Sequence, residues 1–331
     1  MSSPFEVIVL GGGPVGLAVA IQVRRRSPAS VLVVEAGDSS QERIGGTVPP
    51  DILLPLHRLG LGSRFREAGH LPCPGSMSSW GREKVGHNDF ILNPMGPAWH
   101  LNRSCFEAML ADEAIQAGAT LVKKTRFVGA ERTSRGYEVL LRHRSKGEYQ
   151  THAEWIIDAT GPNARFARWH GAKRRNHDRM MAVARFTSLR SGSFPSQTIL
   201  EATREGWWYG ARLPEDRLVT MFVADYEHGY RLRADGYAVW KEALRSTTLL
   251  GPLVDARDLK DEKFLCVPVL SSQLDRVEGE RWLAIGDAAS CYDPISSQGI
   301  YKALIDGVES GTRVAAALSP TSATRHAFRL M

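Results

Sequence analysis

The chain has 331 residues, 43% of them hydrophobic and 24% charged, with a formal net charge of +6. That balance excludes a disordered, collagen-like or coiled-coil chain, and the length suits one large domain or two interleaved ones. The four cysteines, Cys73, Cys105, Cys266 and Cys291, show no C-x-x-C spacing. Reduced, mostly buried thiols are therefore expected, and the ten histidines form no ligand pattern that predicts a metal. No run of about 18 apolar residues predicts a membrane span. The chain opens on a strand, with no signal peptide before it, so a cytoplasmic location is expected.

Phe5–Leu10 is a short β-branched run that reads as a buried parallel strand. Gly11-Gly-Gly-Pro-Val-Gly16 follows and fits G-x-G-x-x-G at Gly11, Gly13 and Gly16, with Pro14 between them. Leu17–Val23 reads as a buried helix, closed by Arg24, Arg25 and Arg26 where cations suit the negative end of the helix dipole. Val31–Val34 is a second strand, with Glu35 and Ala36 at its end. Gly11 permits the tight turn, Gly13 the approach of a pyrophosphate, and Gly16 close helix–strand packing. Amides at the helix start hold the anion, and Glu35 is placed to accept from ribose hydroxyls. A strand before, a helix after and an acid at the right distance make this a dinucleotide-binding unit, where a lone glycine turn would be a weak signal. The motif does not separate FAD from NAD.

Trp99–Glu107 contains Arg103, with Ser104 as a candidate N-cap for a helix over Phe106–Gln116 and Glu107 as its partner. Trp155-Ile-Ile-Asp-Ala-Thr-Gly161 reads as a strand leading into a glycine turn. Near the far end lies Arg281-Trp-Leu-Ala-Ile-Gly-Asp-Ala-Ala-Ser-Cys-Tyr-Asp-Pro-Ile-Ser-Ser-Gln-Gly-Ile300. There Trp282–Ile285 reads as a strand, Gly286-Asp287 as its turn, and Ala303 onward as a helix. The residue-level alternative is a helix start capped by Asp287 or Ser297.

These segments together resemble FAD-dependent monooxygenases of the aromatic-hydroxylase and halogenase-like superfamily. The resemblance implies an α/β fold: a Rossmann-like FAD-binding domain with a discontinuous substrate domain on a mostly antiparallel sheet. It implies FAD as the tightly bound cofactor and O2 as co-substrate. It carries cofactor contacts to Arg103, Gly161, Gly286, Asp287, Pro294, Gly299 and Ile300. Helix-start amides near the flavin would stabilise the negative charge of its reduced form. Arg43-Ile-Gly-Gly-Thr-Val-Pro-Pro50 resembles the R-I-G-E-x-x-P segment of flavin-dependent halogenases, which adds Arg43, although Gly46 stands where the glutamate is usual. Gly206-Trp-Trp-Tyr209 with Asp293-Pro-Ile-Ser-Ser-Gln-Gly299 looks most like the branch that oxidises a peptidyl tryptophan during tryptophylquinone cofactor maturation.

The activity so implied is hydroxylation of an electron-rich aromatic ring through a flavin C4a-hydroperoxide, with no catalytic side chain assigned. A protein or peptide would be the substrate, and no nucleic acid is expected as a partner. Two alternatives stay open: a flavin-dependent halogenase, and a non-oxygenating flavin reductase or FAD-binding accessory protein. Lys84 stands at a chain position comparable with the halogenase lysine, but W-x-W-x-I-P is absent and a surface lysine is expected. Asp158-Ala-Thr-Gly-Pro-Asn-Ala-Arg165 lacks the Asp-Gly pair of hydroxylases that bind NAD(P)H. The electrons would come from NAD(P)H directly or through an external reductant. Trp80, Trp99, Trp207, Trp208 and Tyr209 are candidates for the substrate pocket, although adjacent strand residues point to opposite faces.

The order of motifs places an FAD-binding domain at 1–75, 98–175 and 265–331, and a substrate domain at 76–97 and 176–264. Relatives continue with further helices, so a short or truncated C-terminus is expected. The positive charge is concentrated: 165–185 holds seven Lys or Arg and one acid, Asp178, and the remainder is balanced. This stretch is either a solvated connector or a docking surface for an acidic protein partner.

Overall fold

The computed structural model describes residues 4–38, 42–81, 84–189, 194–254 and 264–319. An eight-stranded sheet holds the β-branched runs. Its parallel part orders Trp282–Ala284, Gly147–Asp158, Phe5–Leu10, Val31–Val34 and Thr120–Val122 side by side. The two central strands are covered on both faces, which is why Phe5–Leu10 and Val31–Val34 are apolar without alternation. Thr125–Thr133 and Gly136–His143 add an antiparallel arm on Gly147–Asp158.

Two helices close one face of this sheet, Pro14–Arg26 and Gly299–Leu318. They touch closely because the second presents Gly307 and Gly311 one turn apart. A Cβ on Gly307 would stand 2.6 Å from Ala18 Cβ and 2.9 Å from the Val15 carbonyl. Both helices are longer than their apolar cores suggest. The first begins at Pro14, three residues before Leu17, and ends on Arg24–Arg26 as expected; the second begins at Gly299, four residues before Ala303.

The second large sheet has seven strands, in the order Leu265–Val269, Met180–Ser188, Arg217–Asp225, Gly206–Leu213, Thr198–Ala202, Gly75–Ser79 and Gly86–Asp89. All neighbours are antiparallel except Thr198–Ala202 with Gly75–Ser79. Helices Tyr226–Ala234 and Tyr237–Arg245 lie on this sheet's side of the fold, and Trp240 packs with Trp208 and Phe222 on one of its faces. The opposite face carries Ala182, Ala184, Phe186, Trp207, Tyr209, Leu213 and Met221, with Ile44 and Ile295 packed against it from outside the sheet. A small sheet of Thr47–Val48, Ala98–His100 and Leu71–Cys73 lies between the two halves. Another, of Arg174–Asn176, Ser272–Leu274 and Ser290–Cys291, braces the loop after Gly286.

Candidate cofactor and substrate cleft

The glycine turn has the geometry its sequence predicts. Gly11 adopts φ +113°, and its N–H donates to Val34 O at 2.8 Å. A Cβ there would collide with the Ala159 carbonyl, and one on Gly16 with the Gly11 carbonyl. Gly13 is the N-cap of Pro14–Arg26, has no side-chain cap, and faces open space. That leaves the first amides of the helix pointing into the cleft, the arrangement that holds a phosphate. Pro14 at the first helical position costs no hydrogen bond. Glu35 is tied into the turn itself. Its Oε2 accepts from Gly12 N at 2.7 Å and its Oε1 from Gly37 N at 2.7 Å, with Ala36 exposed beside it. It latches the loop while retaining lone pairs for a sugar hydroxyl.

Three further turns reach the same side. Asp158 ends its strand fully buried and accepts from Thr160 N, Thr160 Oγ1 and Ala167 N at 3.1, 2.6 and 2.9 Å. This fixes the turn at Gly161, φ +66°, whose Cα faces open space. Burial raises the Asp158 carboxyl and those hydrogen bonds oppose it. Gly286 packs on Val15 at the helix start. Asp287 beside it is solvent-accessible, yet its carboxyl is partly enclosed by the surrounding chain. The crowding raises its carboxyl, opposed by Lys302 and Arg174 and reinforced by Asp306. The turn Pro294–Ser296 is capped by Asp293, which accepts from Ile295 N at 2.9 Å; the helix Gly299–Leu318 that follows has Gln298 at its N-cap with no side-chain bond, so neither Asp287 nor Ser297 caps it. Gly299 then opens its helix facing open space, and Ile300 packs on the core.

Arg103 begins the helix Arg103–Gln116, and the N-cap is Asn102, which accepts from Cys105 N at 3.1 Å; Ser104 lies inside the first turn. Glu107 is therefore not a capping partner. It pairs with Arg103 at 2.6 Å and with Arg43 at 3.3 Å. Arg103 also donates to Ile44 O at 2.7 Å and Gly45 O at 3.0 Å, while its buried Nε has no protein partner.

The structure sorts the aromatic candidates. Trp207 and Tyr209 share the sheet face that meets Ile44 and Ile295. Trp208 points the other way and is buried against Phe222 and Trp240, with ring centroids 4.9 and 5.5 Å apart, so it does not line the cleft. Trp99 packs edge-on against Phe65 in the helical core. Trp80 is half exposed, just past the strand Gly75–Ser79 near the sheet's edge. Lys84 is exposed on the loop between the last two strands. Alternation along Gly206–Leu213 was the signal that separates Trp207 and Tyr209 from Trp208.

Several residues had no such signal. Ile44, Phe186 and Ile295 join the cleft face by tertiary contact alone. So does a buried polar group. Thr47 Oγ1 lies 2.5 Å from Tyr209 Oη and 3.3 Å from Thr198 Oγ1, and Thr198 Oγ1 lies 3.0 Å from His100 Nε2. Burial raises the Tyr209 hydroxyl and lowers His100 to about 4. The thiols are free: Cys73 and Cys291 are buried, Cys266 is partly buried and Cys105 is exposed.

The basic stretch 165–185 is not one surface. Arg185 is fully buried, its guanidinium 4.5 Å from the Tyr237 ring centroid and 4.8 Å from that of Phe264. Arg174 points inward and donates to Ala288 O at 2.6 Å and Asp287 O at 3.1 Å, holding the loop beside Asp287. Arg165, Arg168, Lys173, Arg175 and Arg179 remain exposed.

The model of the family described as FAD binding domain matches residues 4–326. The chain belongs to this family. As a member it is an FAD-dependent oxidoreductase, and its cleft fits the cofactor. The open helix start at Gly13, the open glycines Gly161 and Gly299, and the unpartnered Nε of Arg103 all await a polar, extended ligand. Among similar proteins is LodB of Marinomonas mediterranea, named as an FAD-dependent oxidoreductase, 27% identical over 92% of this chain and 83% of its own. A 1H-pyrrole-2-carbonyl-[peptidyl-carrier protein] brominase of Pseudoalteromonas luteoviolacea is 24% identical over 95% of this chain and 78% of its own. The flavin-dependent halogenase CmlS shares the fold with TM-score 0.84 at 20% identity, covering 99% of this chain and 60% of that one. So does p-nitrophenol 4-monooxygenase PnpA of Pseudomonas putida, TM-score 0.80 at 16% identity, covering 96% and 81%. Among the described residues no helix is long and apolar enough to cross a membrane.

Proposed function

We propose that this flavoprotein is a monooxygenase that hydroxylates an electron-rich aromatic ring, taken from a tryptophan side chain of a protein substrate. The observation that carries the reading is the apolar sheet face of Phe186, Trp207, Tyr209 and Met221, met by Ile295 of the turn Pro294–Ser296. A flat ring would be held there between aromatic and aliphatic walls, and water kept out. When bound, FAD supplies the oxygen-activating chemistry. The chain's residues hold it. The Gly13 helix start would take the pyrophosphate, Glu35 the ribose, and Asp287 the ribityl chain. Arg103, with Arg43 behind Glu107, would contact the cofactor, and amides at Gly299 and Ile300 would stabilise negative charge on the reduced flavin.

The proposed division assigns 1–75, 98–175 and 265–331 to FAD and 76–97 and 176–264 to the substrate. The strand Leu265–Val269 pairs in the seven-stranded sheet, so the return to the FAD part falls after Val269. Electrons would come from an external reductant, in keeping with the Asp-Gly pair missing from Asp158-Ala-Thr-Gly161, or from NAD(P)H directly. The halogenase reading has no support at Lys84, which is exposed near the edge of the sheet, two strands from the strand that carries Tyr209. The reading is tested by giving chemically reduced holoprotein O2 and a tryptophan-containing peptide, with and without bromide. One added oxygen in both cases is expected. A bromide-dependent product supports halogenation, and substrate reduction without O2 supports a reductase.

A further inference from the structure

The buried polar group behind Tyr209 forms a line. His100 is fully buried in the strand Ala98–His100, where its Nε2 lies 3.0 Å from Thr198 Oγ1 and its Nδ1 has no hydrogen-bond partner among the described residues. Thr198 Oγ1 lies 3.3 Å from Thr47 Oγ1, which lies 2.5 Å from Tyr209 Oη. The single contact at Nε2 therefore ties the ring to the line. The Cys73 thiol, 3.1 Å from Gly75 O and 3.6 Å from Thr198 Oγ1, lies at the side of this line.

The line crosses between sheets. Thr47 and His100 are paired neighbours in the small sheet. Thr198 and Tyr209 belong to the seven-stranded sheet. The crossing lies at the end of the segment Arg43–Thr47, whose other end Arg103 grips through Ile44 O and Gly45 O. Gly46 leaves no room for slack, since a Cβ there would stand 2.9 Å from Leu213 Cδ2.

We propose that His100 is a positioning residue for Tyr209: acting through Thr198 and Thr47, it locks the Tyr209 ring against the segment Arg43–Thr47 and so fixes the width of the substrate cleft. This rests on the reading above that the cleft takes an aromatic ring. The test uses holoprotein carrying 15N-histidine, with Thr198→Val to break the line and Thr198→Ser to restore it. In the wild type the Nε2 resonance of His100 is that of a hydrogen-bonded nitrogen at neutral pH, and Thr198→Val moves it to that of an unbonded one. An Nε2 resonance that Thr198→Val leaves unmoved overturns the proposal. The second measurement is indole binding, followed in the absorbance of the bound flavin. Loss of one buried hydroxyl contact weakens indole by about tenfold in Thr198→Val, and Thr198→Ser recovers it. Equal indole affinity in wild type and Thr198→Val also overturns the proposal, whatever happens to Tm. If the wild type binds no indole, the aromatic reading fails, while the His100 resonance still decides whether the line to Thr198 is made.

Discussion

Histidine burial makes a pH-dependent contribution that a single substitution isolates. His70 and His100 are both lowered from 6.5 to about 4 by burial. His70 Nδ1 accepts from Asn102 N at 3.2 Å. Between those values the unfolded chain binds protons that the folded one refuses, so their contribution is full above about 6.5 and falls as pH drops toward 4. The slope is about 1.4 kcal/mol per pH unit for each group at most. Asp158 and Asp287, whose carboxyls are raised, act in the opposite direction, so the absolute curve mixes both. Urea midpoints at pH 7 and pH 5 should fall less in His100→Gln than in the wild type. Equal falls would show that His100 accepts a proton in the folded state. At this scale the sequence was legible wherever backbone geometry dictates the residue. Gly11 and Gly16 could be nothing else beside the Ala159 and Gly11 carbonyls. Gly46 was legible only as a departure; the reason, Leu213 filling the space, lies 167 positions away in the chain.

Elements were read well where local pattern and tertiary burial agree. Both strands of the nucleotide unit and the alternation of Gly206–Leu213 fall in this class. Helix ends were read less well. Asn102, not Ser104, caps Arg103–Gln116, because Arg103 and Glu107 are drawn into a pairing with Arg43 that spacing does not reveal. The contact of Pro14–Arg26 with Gly299–Leu318 is the element-scale feature with most influence on the site, since it joins the two helix starts that face the cleft. Gly307→Leu would force Ala18 and Val15 away and cost about 1–3 kcal/mol or more. Lower Tm and lost FAD are expected together, with exposed Glu309→Ala on the same helix as the control. Retained FAD in Gly307→Leu would show that the two helix starts are held independently.

The charge of the whole molecule acts through what is left outside. The +6 excess arises in 165–185, but Arg185 is core and Arg174 braces the loop beside Asp287. Sequence adjacency merged three environments, because burial of a cation under Tyr237 and Phe264 cannot be read from composition. A docking test therefore reverses Arg168, Lys173 and Arg175 to Glu and leaves Arg174 alone. Binding of poly-L-glutamate at low salt should drop while FAD content stays unchanged, and the wild-type binding should fade as salt rises. Unchanged binding would reduce this stretch to a solvated connector.

The central claim joins these scales: a cradle for FAD, a sheet face shaped for a ring, and an outer surface for the chain that carries the ring. It is tested most directly by incubating reduced holoprotein with a tryptophan-bearing protein under 18O2 and mapping the product by peptide mass spectrometry. The account predicts one 18O atom on a tryptophan ring, absent when the gas is 16O2 and the label is in water. Label only from water, or no label on any tryptophan while the flavin is reoxidised, would contradict it.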